Sequence, residues 1–278
     1  MTRLVDLHCH TTFSDGLLTP EQAVSRAREL GLAAIGITDH DSIDGIERAQ
    51  SCGRNVGIEV VPGVEMSCIV SGIDLHILGY YLDFRSPDVH DFFALVRRHR
   101  SERARLMVEK MKGMGVRLNF EDVRTLARDA AIGRPHVAQA LVNAGAVPSV
   151  EEAFRRYIGY EAPAYVPKMK LEPRVAVDLI RSHGGVSVIG HPGTYHSDEA
   201  VYAAISAGVD GIEVWHPDHD KRDVARYEEI AQKNGLLVTG GSDCHGGRKG
   251  GRIFLGEVTV PYDCVVRLKQ RSRERREW

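Results

Sequence analysis

Short apolar runs rich in valine and isoleucine recur along the chain, and stretches with helical spacing separate them. Arg3–Leu7, Ala33–Thr38, Val56–Val61, Val186–Ile189, Gly211–Trp215 and Leu236–Thr239 are predicted as strands. The first intervening helix is marked at both ends, with Thr19 as N-cap, Pro20 at the first helical position and Gly31 after Leu30. Such alternation predicts a mainly parallel sheet. The strands lack clean polar alternation, as strands buried on both faces do, and six or seven of them in one domain favour a closed or nearly closed barrel. The expected class is therefore α/β, with the sheet closed or nearly closed into a barrel.

Two segments depart from that order. Within Met66–Leu82, apolar runs flank Ser71-Gly72 in the manner of a hairpin. From residue 87 to 170 the pattern is helical, with helices expected at 91–112, 120–129, 135–144 and 150–157. The chain thus reads as a barrel of residues 1–86 and 171–278 carrying a helical insertion, 87–170. Ala162-Pro163-Ala164-Tyr165-Val166-Pro167 is an extended connector, and strand–helix alternation resumes near Leu171.

Charge narrows the function classes. The formal charge is only -2, so no global basic field recruits nucleic acid or an anionic membrane. No apolar run approaches the roughly 20 residues of a spanning helix, and the N-terminus runs straight into a strand, so a cytoplasmic address is expected. The 5 cysteines form no C-x-x-C pair and give no sign of a disulfide framework. The 13 histidines are the distinctive feature, several of them beside aspartate at the ends of apolar runs.

The first strand ends in Asp6-Leu7-His8-Cys9-His10, and period two places His8 and His10 on one face. A single histidine at a strand end is commonly just a hydrogen-bonded loop residue. Here, however, the second strand ends in Thr38-Asp39-His40-Asp41, the third reaches Glu65, and the hairpin carries Asp74-Leu75-His76. Later strands end in Gly190-His191-Pro192 and Ser242-Asp243-Cys244-His245. In parallel α/β folds the carboxyl ends of strands form the active face, so these residues meet there, and a metal centre is expected. The same period turns Cys9 and Cys244 away from it. Imidazole and carboxylate without sulfur suit manganese, iron or zinc. Asp39 is read as a partner that orients an imidazole.

The series His8-x-His10, Asp15, Asp39-His40, Glu65, His76, His191 and Asp243-x-His245 resembles the polymerase and histidinol phosphatase (PHP) family over nearly the whole chain. The resemblance implies a distorted (β/α)7 barrel, whose helical insertion contributes to the substrate site, with three divalent metal ions, manganese first and iron or zinc as alternatives. Carried over by position, His8, His10, Glu65 and Asp243 hold one ion, Glu65, His76 and His191 a second, and Asp15, His40 and His245 a third. Glu65, Asp243 and His191 would be catalytic through these ions, and His136 and His196 are candidate proton donors. Gly133-Arg134-Pro135-His136 alone reads as a solvated helix start. Within the resemblance it matches the branch that acts on nucleoside 3′,5′-bisphosphates and on short RNA from its 5′ end, the RNase AM type, with Arg134, His136 and His196 facing substrate.

The expected activity is hydrolysis of the 3′-phosphate of a nucleoside 3′,5′-bisphosphate to the nucleoside 5′-monophosphate, with 5′-3′ trimming of short RNA beside it. Expected partners are a small nucleotide or a short RNA end, without a stable nucleic-acid complex or a membrane, in a monomer. Three rivals remain: a histidinol-phosphate phosphatase, a non-catalytic PHP module of a polymerase, and an amidohydrolase or deaminase with a similar H-x-H start. A chain ending at Trp278 has no room for a polymerase, and Asp15 with Glu65 argues for phosphoesters. Arg97-Arg98-His99-Arg100 and Arg267–Arg276 read as solvated surface, and the histidines of Trp215-His216-Pro217-Asp218-His219 read as candidates to border the substrate without serving as ligands.

Overall fold

The computed structural model describes residues 3–247 and 252–277. The chain divides into two compact units, residues 1–90 with 170–278, and residues 91–169.

In the first unit β1 (Leu4–Asp6), β2 (Ala34–Ile37), β3 (Glu59–Val70), β4 (Ile73–Tyr80), β5 (Val186–Ile189), β6 (Gly211–Trp215), β7 (Leu237–Gly240) and β8 (Val260–Pro261) form one sheet, ordered β7-β6-β5-β4-β3-β2-β1-β8. The pairs β1–β2, β2–β3, β5–β6 and β6–β7 are parallel. The sheet curls until its ends meet: the Leu7 N–H donates to the Gly240 carbonyl at 3.2 Å, and Cys9 bridges to Cys244. The result is the expected mixed α/β, nearly closed barrel.

Its distortion comes from β4, antiparallel to both neighbours, and from β8, a short strand antiparallel to β1 that the apolar pattern did not reveal. Ser71 and Gly72 both take positive φ, 48° and 82°, the twist that closes a tight two-residue hairpin. The third strand starts later than predicted, because α2 (Ile46–Val56) absorbs Val56 and ends at the left-handed Gly57. It then runs unbroken to Val70 as one arm of the hairpin.

α1 (Pro20–Glu29) has the predicted Thr19 cap, whose side chain accepts from the Gln22 N–H. Its Ala23, Val24 and Ala27 join Ile35, Ile37, Cys9 and Cys244 in one buried apolar cluster. α7 (Pro173–Ser182), α8 (Asp198–Ser206) and α9 (Lys221–Asn234) complete the later crossovers. α10 (Asp263–Arg276) takes in the basic tail, yet its Cys264, Val265 and Leu268 bury against Val5, Ala34, Val186 and Val188.

The second unit holds most of α3 (Pro87–Gly113), with α4 (Phe120–Ala127), α5 (Arg134–Asn143), α6 (Val150–Ala153) and a π-type turn at Phe154–Ile158. Met107, Met111, Val123, Val137, Leu141 and Ile158 form its own apolar core. No described helix is long and apolar enough to cross a membrane.

Candidate metal centre

The strand ends of the first unit deliver their polar side chains to one place. His8 and His10 leave β1 with both rings fully buried, and their Nε2 atoms lie 3.2 Å apart. His40 follows β2 and bridges to Glu65 in β3. In the β3–β4 register Glu65 faces Leu78, so His76 lies diagonally across on the same face. His191 follows β5, and Asp243 and His245 follow β7.

Glu65 is the hub, with no exposed surface. Its Oε2 lies 3.3 Å from His8 Nε2, 3.1 Å from His10 Nε2 and 3.0 Å from His40 Nδ1. Its Oε1 lies 2.6 Å from His76 Nδ1 and 2.8 Å from His191 Nε2. Asp243 Oδ1 is 3.1 Å from His10 Nε2, and His245 Nε2 is 3.4 Å from Asp15 Oδ1. Three sets therefore bring their donor atoms within 4.8 Å of one another: His8, His10, Glu65 and Asp243; His40, Glu65 and His76; and His10, Asp15, His40 and His245.

Burial and close charges set the protonation. Burial disfavours a charged His8, but Glu213 and Glu65 outweigh it and hold the ring well above its ordinary pKa. His10 is likewise pushed up to about 10 against burial by hydrogen bonds to Asp243 and Glu65. His40 goes the other way, down to about 3, through burial. Burial opposes ionisation of Glu65 and Asp243 too, yet the surrounding imidazoles hold both carboxyls well below their usual range.

This arrangement fits divalent cations. Imidazole nitrogens face one another, at 3.2 Å between His8 and His10 and 3.1 Å between His76 and His191. His40 Nδ1 is buried without a hydrogen bond although an oxygen of Glu65 lies 3.0 Å away. Converging lone pairs are costly unless protons or a cation lie among them. Cys9 and Cys244 are absent from all three sets and pack behind them in the apolar cluster.

Three further residues support these side chains: Glu213 and Asp6, which sequence reasoning missed, and His216, which it placed only at the border of the substrate. Glu213, fully buried in β6, accepts from His8 Nδ1 at 3.0 Å and from the His191 N–H at 2.7 Å. Asp6 accepts from the backbone of Ser242 and Gly256, both at 2.9 Å, and so ties β1 to the loop that carries Asp243. His216, 4% exposed, lies with Nε2 3.5 Å from Asp243 Oδ2. The signal for Glu213 was available, since a carboxylate in the otherwise apolar strand Gly211–Trp215 demands a partner. Asp39 accepts from the Thr11 N–H and hydroxyl and from the Ser14 hydroxyl, and Ser14 Oγ in turn lies 3.5 Å from His10 Nδ1, so its link to an imidazole runs through Ser14.

In the helical unit, Arg134 opens α5 with its guanidinium 4.7 Å from the centre of the Tyr160 ring. His136 is buried and accepts the Gly133 N–H on Nδ1 at 3.0 Å. His196 is exposed, with φ 49°, at the end of the 3-10 turn Pro192–Tyr195.

A nearly closed α/β barrel with histidines and carboxylates gathered at its strand ends is the build of a metal-dependent hydrolase. The chain belongs to the PHP domain family, whose model matches residues 6–159. It is 33% identical over 266 residues to a 3′,5′-nucleoside bisphosphate phosphatase of Chromobacterium violaceum, covering 94% of this chain and 93% of that one. It is 31% identical over 249 residues to the 5′-3′ exoribonuclease Rnm of Escherichia coli, covering 87% and 85%. A solved Bifidobacterium adolescentis structure, described as a metal-dependent phosphoesterase, superposes with a TM-score of 0.87 at 33% identity over 96% of each chain.

Proposed function

We propose that this metal-dependent phosphoesterase removes the 3′-phosphate of nucleoside 3′,5′-bisphosphates, giving nucleoside 5′-monophosphate and inorganic phosphate, and also trims short RNA from its 5′ end. One observation carries the reading: the Glu65 carboxylate is divided, Oε2 toward His8, His10 and His40 and Oε1 toward His76 and His191. A carboxylate shared in this way suits a bridge between two cations.

In this reading His8, His10, Glu65 and Asp243 hold one divalent ion, Glu65, His76 and His191 a second, and Asp15, His40 and His245 a third. Manganese is preferred, and iron and zinc accept the same donors. Divalent ions supply charge neutralisation at the phosphoryl oxygens and an acidified water for attack on phosphorus. The P–O3′ bond breaks, and the departing oxygen needs a proton. His136 is assigned as that donor, because its Nδ1 accepts a backbone N–H and its proton therefore sits on Nε2. His196, exposed on its turn, is assigned to the substrate side. The planar guanidinium of Arg134, backed by Tyr160, suits a phosphate gripped by two parallel hydrogen bonds. The names of the Chromobacterium and Escherichia relatives support a nucleotide over histidinol phosphate.

Arg134→Ala tests the substrate. We expect KM for adenosine 3′,5′-bisphosphate to rise about 10- to 100-fold with a smaller change in kcat, and Arg134→Lys to recover only part of the loss. Unchanged turnover in Arg134→Ala, or wild-type activity confined to histidinol phosphate, would overturn the nucleotide assignment.

A further inference from the structure

The segment Trp215-His216-Pro217-Asp218-His219 follows β6 and supplies none of the donors assigned above, yet two of its histidines are built into the back of the centre. His219 donates Nδ1–H to the Val214 carbonyl at 2.8 Å and accepts the Gly193 N–H on Nε2 at 3.0 Å. It thereby fastens the turn after His191, a residue whose own φ is +24°. A Cβ on Gly193 would lie 2.6 Å from the His219 ring, so the approach needs glycine.

His216 faces the other way. Its Nδ1 accepts the Asp218 backbone N–H at 3.1 Å. A backbone N–H can only donate, so the Nδ1 lone pair is used and the ring proton sits on Nε2. That Nε2 is buried without a hydrogen bond and lies 3.5 Å from Asp243 Oδ2. The other oxygen of the same carboxylate, Oδ1, faces His10 Nε2 at 3.1 Å and His8 Nε2 at 3.6 Å. Asp243 is itself held at φ 48°, a backbone conformation that costs energy for any residue except glycine and persists only where its surroundings fix it.

We infer that His216 is a positioning residue for Asp243: its Nε2–H holds Oδ2, which leaves Oδ1 as the oxygen offered to the ion at His8, His10 and Glu65. The inference rests on the proposed function, in which that set holds a divalent ion. Outer partners of this kind typically contribute about 10- to 100-fold to metal affinity.

The test compares His216→Gln with His216→Asn in the full chain. The amide nitrogen of glutamine falls near the place of Nε2 and can donate to Asp243. Asparagine can accept from Asp218 but stops short of the carboxylate. With Mn2+ as the probe, followed by calorimetric titration of the metal-free protein and by metal content after dialysis, we expect His216→Gln to stay within about threefold of wild type and His216→Asn to bind about 10- to 100-fold more weakly at its tightest site. Equal losses in the two variants, or no loss in asparagine, would overturn the assignment, because a merely packed ring would not distinguish them. Asp243→Ala separates this from the underlying reading. If Mn2+ affinity survives Asp243→Ala, the ion site itself is wrong; if it falls while the two His216 variants match, only the positioning role is.

Discussion

At the residue scale, the centre is a contest between protons and cations for the same nitrogen atoms. Without an ion, the carboxylates of Asp243 and Glu65 keep a proton on His10, whose pKa reaches about 10 against the pull of burial. His8 and His191 are raised as well, against the same pull. An ion that takes these nitrogens must displace their protons, so Mn2+ affinity should strengthen between about pH 6 and about pH 8, with protons released to the buffer. Calorimetry in buffers of different ionisation enthalpy measures both, and a pH-independent affinity would contradict the protonation described here. Glu213→Gln should weaken Mn2+ retention about 10-fold or more while leaving the fold intact, because the amide keeps the shape but offers His8 and the His191 N–H one acceptor in place of a charged pair. Unchanged metal content would remove Glu213 from the support of the centre. His8 and His10 were legible because period two binds their directions together. Glu213 sits within β6 rather than at its end, so only its being a carboxylate in an apolar strand marks it.

At the element scale, what escaped the sequence is what the apolar pattern does not encode. Strands and helices of the βα order were readable from composition and caps. The antiparallel run of β4 could be anticipated from Ser71-Gly72, since that turn sends the chain straight back. β8 is two residues long and leaves no periodic trace. α10 was read as a solvated basic tail because arginines dominate it, but several of them have buried work. Asp210, 4% exposed, accepts from Ser187 and pairs with Arg271 and Arg275, anchoring α10 to the ends of β5 and β6. Asp210→Ala leaves a partly buried guanidinium without its partner and should lower stability by about 3 kcal/mol. Urea unfolding followed by far-UV circular dichroism measures this, and a loss below about 0.5 kcal/mol would mean that α10 is held by its apolar face alone.

At the scale of the whole molecule, the barrel unit has gathered side chains from residue 8 to residue 245 at one end of a curled sheet. The helical unit has a core of its own and carries Arg134 and His136. Strand-end spacing made a metal centre legible, and the resemblance of those same residues to a known family then brought in the phosphoester chemistry. The proposed nucleotide preference rests on Arg134, His136 and His196, side chains whose bearing on chemistry no periodicity reports. If the Glu65-centred set works on phosphate esters through divalent ions, manganese-loaded protein releases inorganic phosphate from adenosine 3′,5′-bisphosphate. Steady release is expected, abolished by chelation, restored by manganese, and lowered at least about 1,000-fold in Glu65→Gln without unfolding of the chain. Undiminished release after complete metal removal, or in Glu65→Gln, would contradict it.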